Sequence, residues 1–136
     1  MGHLEALASG PGLAAALRRA GGSAGSGRDV VIQAGQAGTP GELARGVLAL
    51  AGSALGRVIG GLVNTLDPDV VVLAGSVADA GPIWWAAVQE GIRREAMDAV
   101  RGIPLVPAGA GAAAALLGAA HFAVARHSST STAHEG

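Results

Sequence analysis

The sequence predicts an α/β protein, a small parallel sheet covered by long helices, and three observations carry that expectation. Residues 62–77 read as the end of a long helix, an Asp-Pro turn, an apolar strand and a small-residue turn at the strand's carboxyl end. That order is one helix-to-strand step of a parallel sheet. A second short apolar run, residues 103–106, precedes another helical stretch. Aromatic residues make up only 2% of the chain while glycine occurs 23 times, which favours closely approaching helices over an all-β core of large side chains.

The elements follow in order. Residues 4–8 are helical in character. Ser9-Gly10-Pro11 then marks a cap and a restart, with proline suited to a first helical turn, and residues 13–20 continue as a second helix. Residues 21–27 have the composition of a flexible loop. The Val-Val-Ile run within residues 29–34 favours a strand locally, although six residues do not settle helix against strand. Thr39, Pro40 and Glu42 form a helix-start pattern in which Thr39 caps and Glu42 completes a capping box. From there Leu43, Val47, Leu50, Ala54, Val58 and Leu62 fall on one stripe of a helix running to about Leu66. Gly52, Gly56 and Gly60 form a side-chain-free line on it, which lets a neighbour approach closely.

Asp67-Pro68 stops that helix, and residues 69–74 follow as a strand buried on both faces. Pro82 opens the next helix, with Ile83, Trp84, Val88, Ile92 and Ala96 inward and Arg93, Arg94 and Glu95 outward. The adjacent Trp84 and Trp85 cannot both face the core, so one is left for a partner subunit or domain. Residues 103–106 form an edge strand weakened by Pro104, residues 109–125 a small-residue helix, and residues 127–136 a disordered polar tail.

Composition narrows the classes of function. A formal net charge of -1 leaves no basic footprint for nucleic acid, so such a partner would require a further DNA-binding domain upstream. The absence of cysteine removes disulfide and thiol chemistry and fits a cytoplasmic protein. Residues 47–66 nearly reach the length of a membrane span, but Arg57 at their centre is costly in lipid, so a buried soluble helix and no membrane partner are expected.

Ligands of open parallel sheets bind beyond the carboxyl ends of the strands, so Ala74, Gly75 and Ser76 are the first place to look for one. Gly109-Ala110-Gly111-Ala112-Ala113-Ala114 matches a G-x-G-x-x-A turn into a helix. No strand and no acidic residue follow at the spacing a dinucleotide fold requires, so it reads as a tight turn beside some other ligand. His3 and Glu5, two positions apart, are a candidate metal ligand and a candidate hydroxyl-binding carboxylate. His121 and His127 have no partners at ligand spacing.

Three segments in order carry a family resemblance. Residues 2–10, Gly-His-Leu-Glu-Ala-Leu-Ala-Ser-Gly, resemble the G-C-L-E-x-x-A-S-G segment that follows the zinc-binding cysteines of the ROK family of repressors, uncharacterised frames and sugar kinases. Residues 66–77 resemble its L-D-P-x-x-V-V-L-G-G-x-V stretch, and residues 106–120 its closing L-G-x-x-A-x-L-x-G-A-A segment. The resemblance implies the C-terminal lobe, residues 1–126, of an actin-like, RNase H-type fold that binds a hexose and ATP with Mg between two lobes. By position, Glu5 falls on the glutamate that binds sugar hydroxyls. Gly75, Ser76 and Val77 fall on the loop beside the adenosine, and Gly111 on the glycine opening the last helix. His3 stands where the family has its last zinc cysteine, which keeps a structural zinc in view with its other ligands upstream.

The family's D-x-G-x-T loop, catalytic aspartate and C-x-C-G run do not occur in these residues, and Ala74 and Ser76 replace glycines of the nucleotide turn. No catalytic residue is therefore assigned. A sugar kinase that is inactive as this piece, the sugar-sensing part of a repressor, and a non-catalytic dimerising remnant all remain open. A homodimer or homotetramer is expected of the assembled protein.

Overall fold

The computed structural model describes residues 3–109 and 113–131. Helices α1 (Glu5–Ala8), α2 (Gly10–Arg19), α3 (Gly27–Ala34) and α4 (Gly38–Leu66) come first, followed by strand β1 (Val71–Leu73) and a 3-10 turn (Ser76–Asp79). Helix α5 (Pro82–Glu95), strand β2 (Leu105–Pro107) and helix α6 (Ala114–Ser131) complete the order. The strands pair in parallel, Val71 opposite Leu105 and Leu73 opposite Pro107, and α5 forms the crossover that parallel pairing requires. The amide of Val71 donates to Pro104 at 2.9 Å and that of Ala108 to Leu73 at 2.8 Å.

The most extensive interface in the molecule is that between α4 and α5. It is built on the glycine line. A Cβ on Gly52 would stand 2.6 Å from the Trp84 carbonyl oxygen, and one on Gly60 would stand 3.0 Å from that of Ile92. Gly91 on α5 answers from the other side, where a Cβ would meet the Ser53 carbonyl oxygen at 2.6 Å. The two backbones are therefore in contact across glycine. Trp84, Val88 and Ile92 fill the space beside it, and α2 and α3 add Leu13, Leu17 and Val30 to the same core with Ala44 and Leu48 of α4. Asn64 closes the far end, donating to the Glu95 carbonyl at 2.9 Å and accepting from the Met97 amide at 2.8 Å. The buried indole N–H of Trp84 meets no acceptor among the described residues, a cost of about 1–3 kcal/mol.

Several expectations are corrected here. Helix α4 buries Ala44, Leu48, Ala51, Gly52, Gly56, Ile59, Gly60 and Val63. Of the expected stripe, Val47 is buried, whereas Leu50, Val58 and Leu62 are exposed. The reason is that α5 seats on the face where backbones can touch, so small residues and not large ones set the direction of burial. Thr39 does not cap α4: the N-cap is Ala37, without a side-chain bond, and Thr39 and Pro40 lie in the first turn. Residues 29–34 belong to a helix, because Ser26 and Asp29 form a capping box ahead of them. Ile83 is exposed, while Arg93, Arg94 and Glu95 face outward as expected.

Strand β1 is shorter than residues 69–74 and is covered on one face. Val71 and Leu73 are half-buried, while Val70 and Val72 are exposed. Helix α6 continues to Ser131, through the start of the segment expected as a disordered tail, and residues 132–136 lie outside the described ones. Helix α4 is long and apolar enough to cross a membrane. Here it packs as a core helix, with Arg57 at the surface paired to Glu95 at 2.6 Å.

The glycine interface makes two opposite expectations. Gly56→Ala places a methyl group against the Val88 carbonyl oxygen, and overpacking of about 1–3 kcal/mol outweighs a propensity gain of up to about 1 kcal/mol. A Cβ on Gly61 meets nothing within 4 Å among the described residues, so Gly61→Ala keeps that propensity gain. Urea midpoints should fall for the first variant and rise for the second. Equal shifts would mean that α4 and α5 do not touch through glycine.

Candidate functional site

A cleft of about 810 Å³ opens between the amino ends of α2 and α3 on one side and the 3-10 turn after β1 on the other. Local chemistry explains each wall. Ser9 caps α2, accepting from the Gly12 amide at 3.1 Å, and Pro11 follows in the first turn. The two helix starts touch where a Cβ on Gly27 would lie 2.6 Å from the Gly10 Cα. The loop between α2 and α3, expected to be flexible, is fastened from both helices. Arg18 donates to the Ala24 carbonyl at 2.6 Å, and Gln33 donates to that of Ser23 at 2.6 Å. Within this loop, only Gly21 takes a backbone conformation, φ +90°, that favours glycine.

Asp29 accepts from the amides of Ser26 at 2.8 Å and Gly25 at 2.9 Å. Those two amides, that of Ser26 first, hold its carboxyl below the ordinary aspartate range. Arg18 and Arg28 line the cleft from α2 and α3, and Asp79 lines it from the 3-10 turn, so two cations and one anion face the same space.

The opposite wall is Ser76, Val77, Asp79 and Ala80. Gly75 precedes it at φ +99°, with open space around its Cα, so its conformation and not crowding calls for glycine. The direction of the chain after β1 thus places Ser76 and Val77 in the cleft, beyond the strand's carboxyl end, where open parallel sheets bind ligands.

Of the sequence-derived residues, Ser76 and Val77 line the cleft and Gly75 introduces them. His3 and Glu5 do not line it: both are exposed, His3 just ahead of α1 and Glu5 at its start. Among the described residues, no group of three or more histidine, cysteine, aspartate or glutamate side chains could hold a metal. His3 would supply one of the four ligands that a structural zinc site needs. Gly111 lies outside the described residues. Trp84 is the core tryptophan at 2% exposure. Trp85 is half-buried against it, ring centroids 5.5 Å apart.

Sequence reasoning missed the wall made by residues 25–28. Its signal was present as Ser26-x-x-Asp29, a helix-start pattern ahead of an apolar run.

The cleft opens at the carboxyl end of a parallel strand, between a small-residue turn and helix amino termini, which is where ligands of open α/β sheets bind. Residues 1–126 match the ROK family, and the chain belongs to that family. The structure is similar to the crystal structure of a ROK hexokinase from Thermus thermophilus, with 35% identity and a TM-score of 0.68. The similarity covers 85% of this chain and 38% of the hexokinase chain. No curated protein matches the chain. The relationship supports a sugar kinase-type relative with an α/β fold of one small parallel sheet and many helices.

The capping carboxylate sets a pH dependence. Its value is lowered in the folded chain, so its stabilisation is fully present above the ordinary aspartate range and is lost as pH falls through the folded value. Asp29→Asn should therefore lower the urea midpoint near neutral pH, with the difference closing in strong acid. A difference independent of pH would mean that the carboxylate's charge does not hold the cleft wall.

Proposed function

We propose that this chain is the C-terminal lobe of a ROK-type sugar kinase, with the actin-like, RNase H-type arrangement, working in the cytoplasm on a hexose with ATP and Mg. Its part is to bind and orient. Ser76 and Val77, introduced by Gly75, border the adenosine, with Gly111 at the start of the last helix. Glu5 accepts hydrogen bonds from sugar hydroxyls without taking a proton. Phosphoryl transfer is chiefly positioning and charge stabilisation around a phosphate cradle and a base. These residues contain no D-x-G-x-T loop, so the transfer machinery belongs to another part of the assembled protein.

The observation that carries this reading is the cleft itself. The turn that matches the family's nucleotide loop forms one wall of the 810 Å³ opening, opposite the capped start of α3. That volume falls in the range of small-molecule sites, roughly 300–1,000 Å³.

Titration calorimetry with ADP tests the reading. The chain should bind ADP, and Ser76→Leu, which adds bulk to the cleft wall, should weaken binding at least about tenfold, roughly 1.4 kcal/mol. Glu5→Gln should instead weaken hexose binding by about 1–3 kcal/mol and leave ADP affinity unchanged. ADP binding that ignores Ser76→Leu would remove the nucleotide from this cleft. The chain alone should not phosphorylate hexoses, and hexose-dependent ADP release that persists through repurification would overturn the division of labour.

A further inference from the structure

Residues 75–81 join β1 to α5 and supply the turn wall of the cleft. Both ends turn on glycine, Gly75 at φ +99° and Gly81 at φ +90°. Between them the 3-10 turn is flanked by short-range bonds: the Ala78 amide donates to Gly75 and the Ala80 amide to Val77, each at 3.0 Å. Neither leaves the segment. Buried Ala80 and half-buried Val77 keep it on the body by apolar contact, which holds position more than direction. The bond that fixes direction comes from α5, where the Trp85 indole N–H donates to the Ala78 carbonyl at 2.8 Å. That indole is itself held edge-on against Trp84, at an interplanar angle of 89°, and Trp84 is anchored in the α4–α5 core.

We propose that Trp85 is a positioning residue of the cleft: its indole N–H latches the 3-10 turn to α5 and so sets how far Ser76 and Val77 stand from the start of α3. The link to ligand affinity rests on the nucleotide reading of the cleft given above, whereas the latch rests on the geometry alone. A part-buried hydrogen bond of ordinary net strength corresponds to about a three- to tenfold change in an equilibrium. The turn should therefore open by about that factor when the donor is removed, while the core that carries Trp84 stays closed.

The test is amide hydrogen exchange on the ligand-free chain and on Trp85→Phe, which keeps an aromatic ring and deletes the N–H. The Ala78 and Ala80 amides should exchange about three- to tenfold faster in the variant, with the Val88 and Ile92 amides unchanged, and ADP affinity should fall by a similar factor. Unchanged exchange at Ala78 and Ala80 overturns the latch. So does faster exchange spread equally over Val88 and Ile92, which would make Trp85 a general core residue. Failure of the unaltered chain to bind ADP would count against the nucleotide reading alone, and the exchange result would still decide the latch. Should Trp85→Phe not fold, the unaltered chain decides: its Trp85 indole proton should exchange together with the Ala78 and Ala80 amides, and free exchange of that proton would overturn the proposal.

Discussion

The backbone contact between α4 and α5 is the constraint on which the rest of the structure depends. Helices rarely approach so closely, because side chains hold them apart by 8–10 Å between axes. Here Gly52, Gly56 and Gly60 present bare backbone to Trp84, Val88 and Ile92, and Gly91 returns the same on α5. Each glycine costs up to about 1 kcal/mol of helix propensity, so the close approach must return more than that through packing. Once α5 is seated there, the segments attached to its two ends are placed as well. β1 and its following turn lead into α5, and β2 returns alongside β1 after it.

The cleft inherits its geometry from that frame. Trp84 is fixed by the interface, Trp85 packs edge-on against Trp84, and the turn carrying Ser76 and Val77 hangs from Trp85. The other wall is fastened separately. Its capping box, together with the bonds from Arg18 and Gln33, holds residues 23–26, and Arg45 ties the far end of α3 by donating to Ala34 at 2.8 Å and Gln36 at 2.9 Å. Both walls thus rest on the same core, but through different elements. A ligand between them would read the distance separating two independently held edges.

Much of this was legible in the sequence. Ser9-Gly10-Pro11, Asp67-Pro68 and Pro82 punctuate the helices where the structure does, because caps and prolines act over a few residues and need no tertiary context. The glycine line was also readable as a close-approach surface. Which way α4 faces was not, because hydrophobic periodicity locates large residues while the partner helix chose small ones. Residues 29–34 were ambiguous for a related reason: a β-branched run favours strand until the Ser26–Asp29 box three residues earlier is weighed against it. For the site, the turn at residues 75–77 was found by its place after a strand. The helix start at residues 26–29 is written in the sequence, but its place opposite α2 is not, because that depends on the contact of Gly27 with Gly10.

The most direct test of the glycine frame is a urea titration of the Trp85→Phe chain, in which Trp84 is the sole tryptophan. Its emission reports the α4–α5 contact, and methyl resonances of Leu17 and Val30 report the α2–α3 layer packed on it. If that contact supports the rest, Trp84 becomes exposed to water together with the loss of the native Leu17 and Val30 signals, or after it. A red shift of Trp84 emission while Leu17 and Val30 still show their native resonances would contradict the dependence of the fold on the glycine contact.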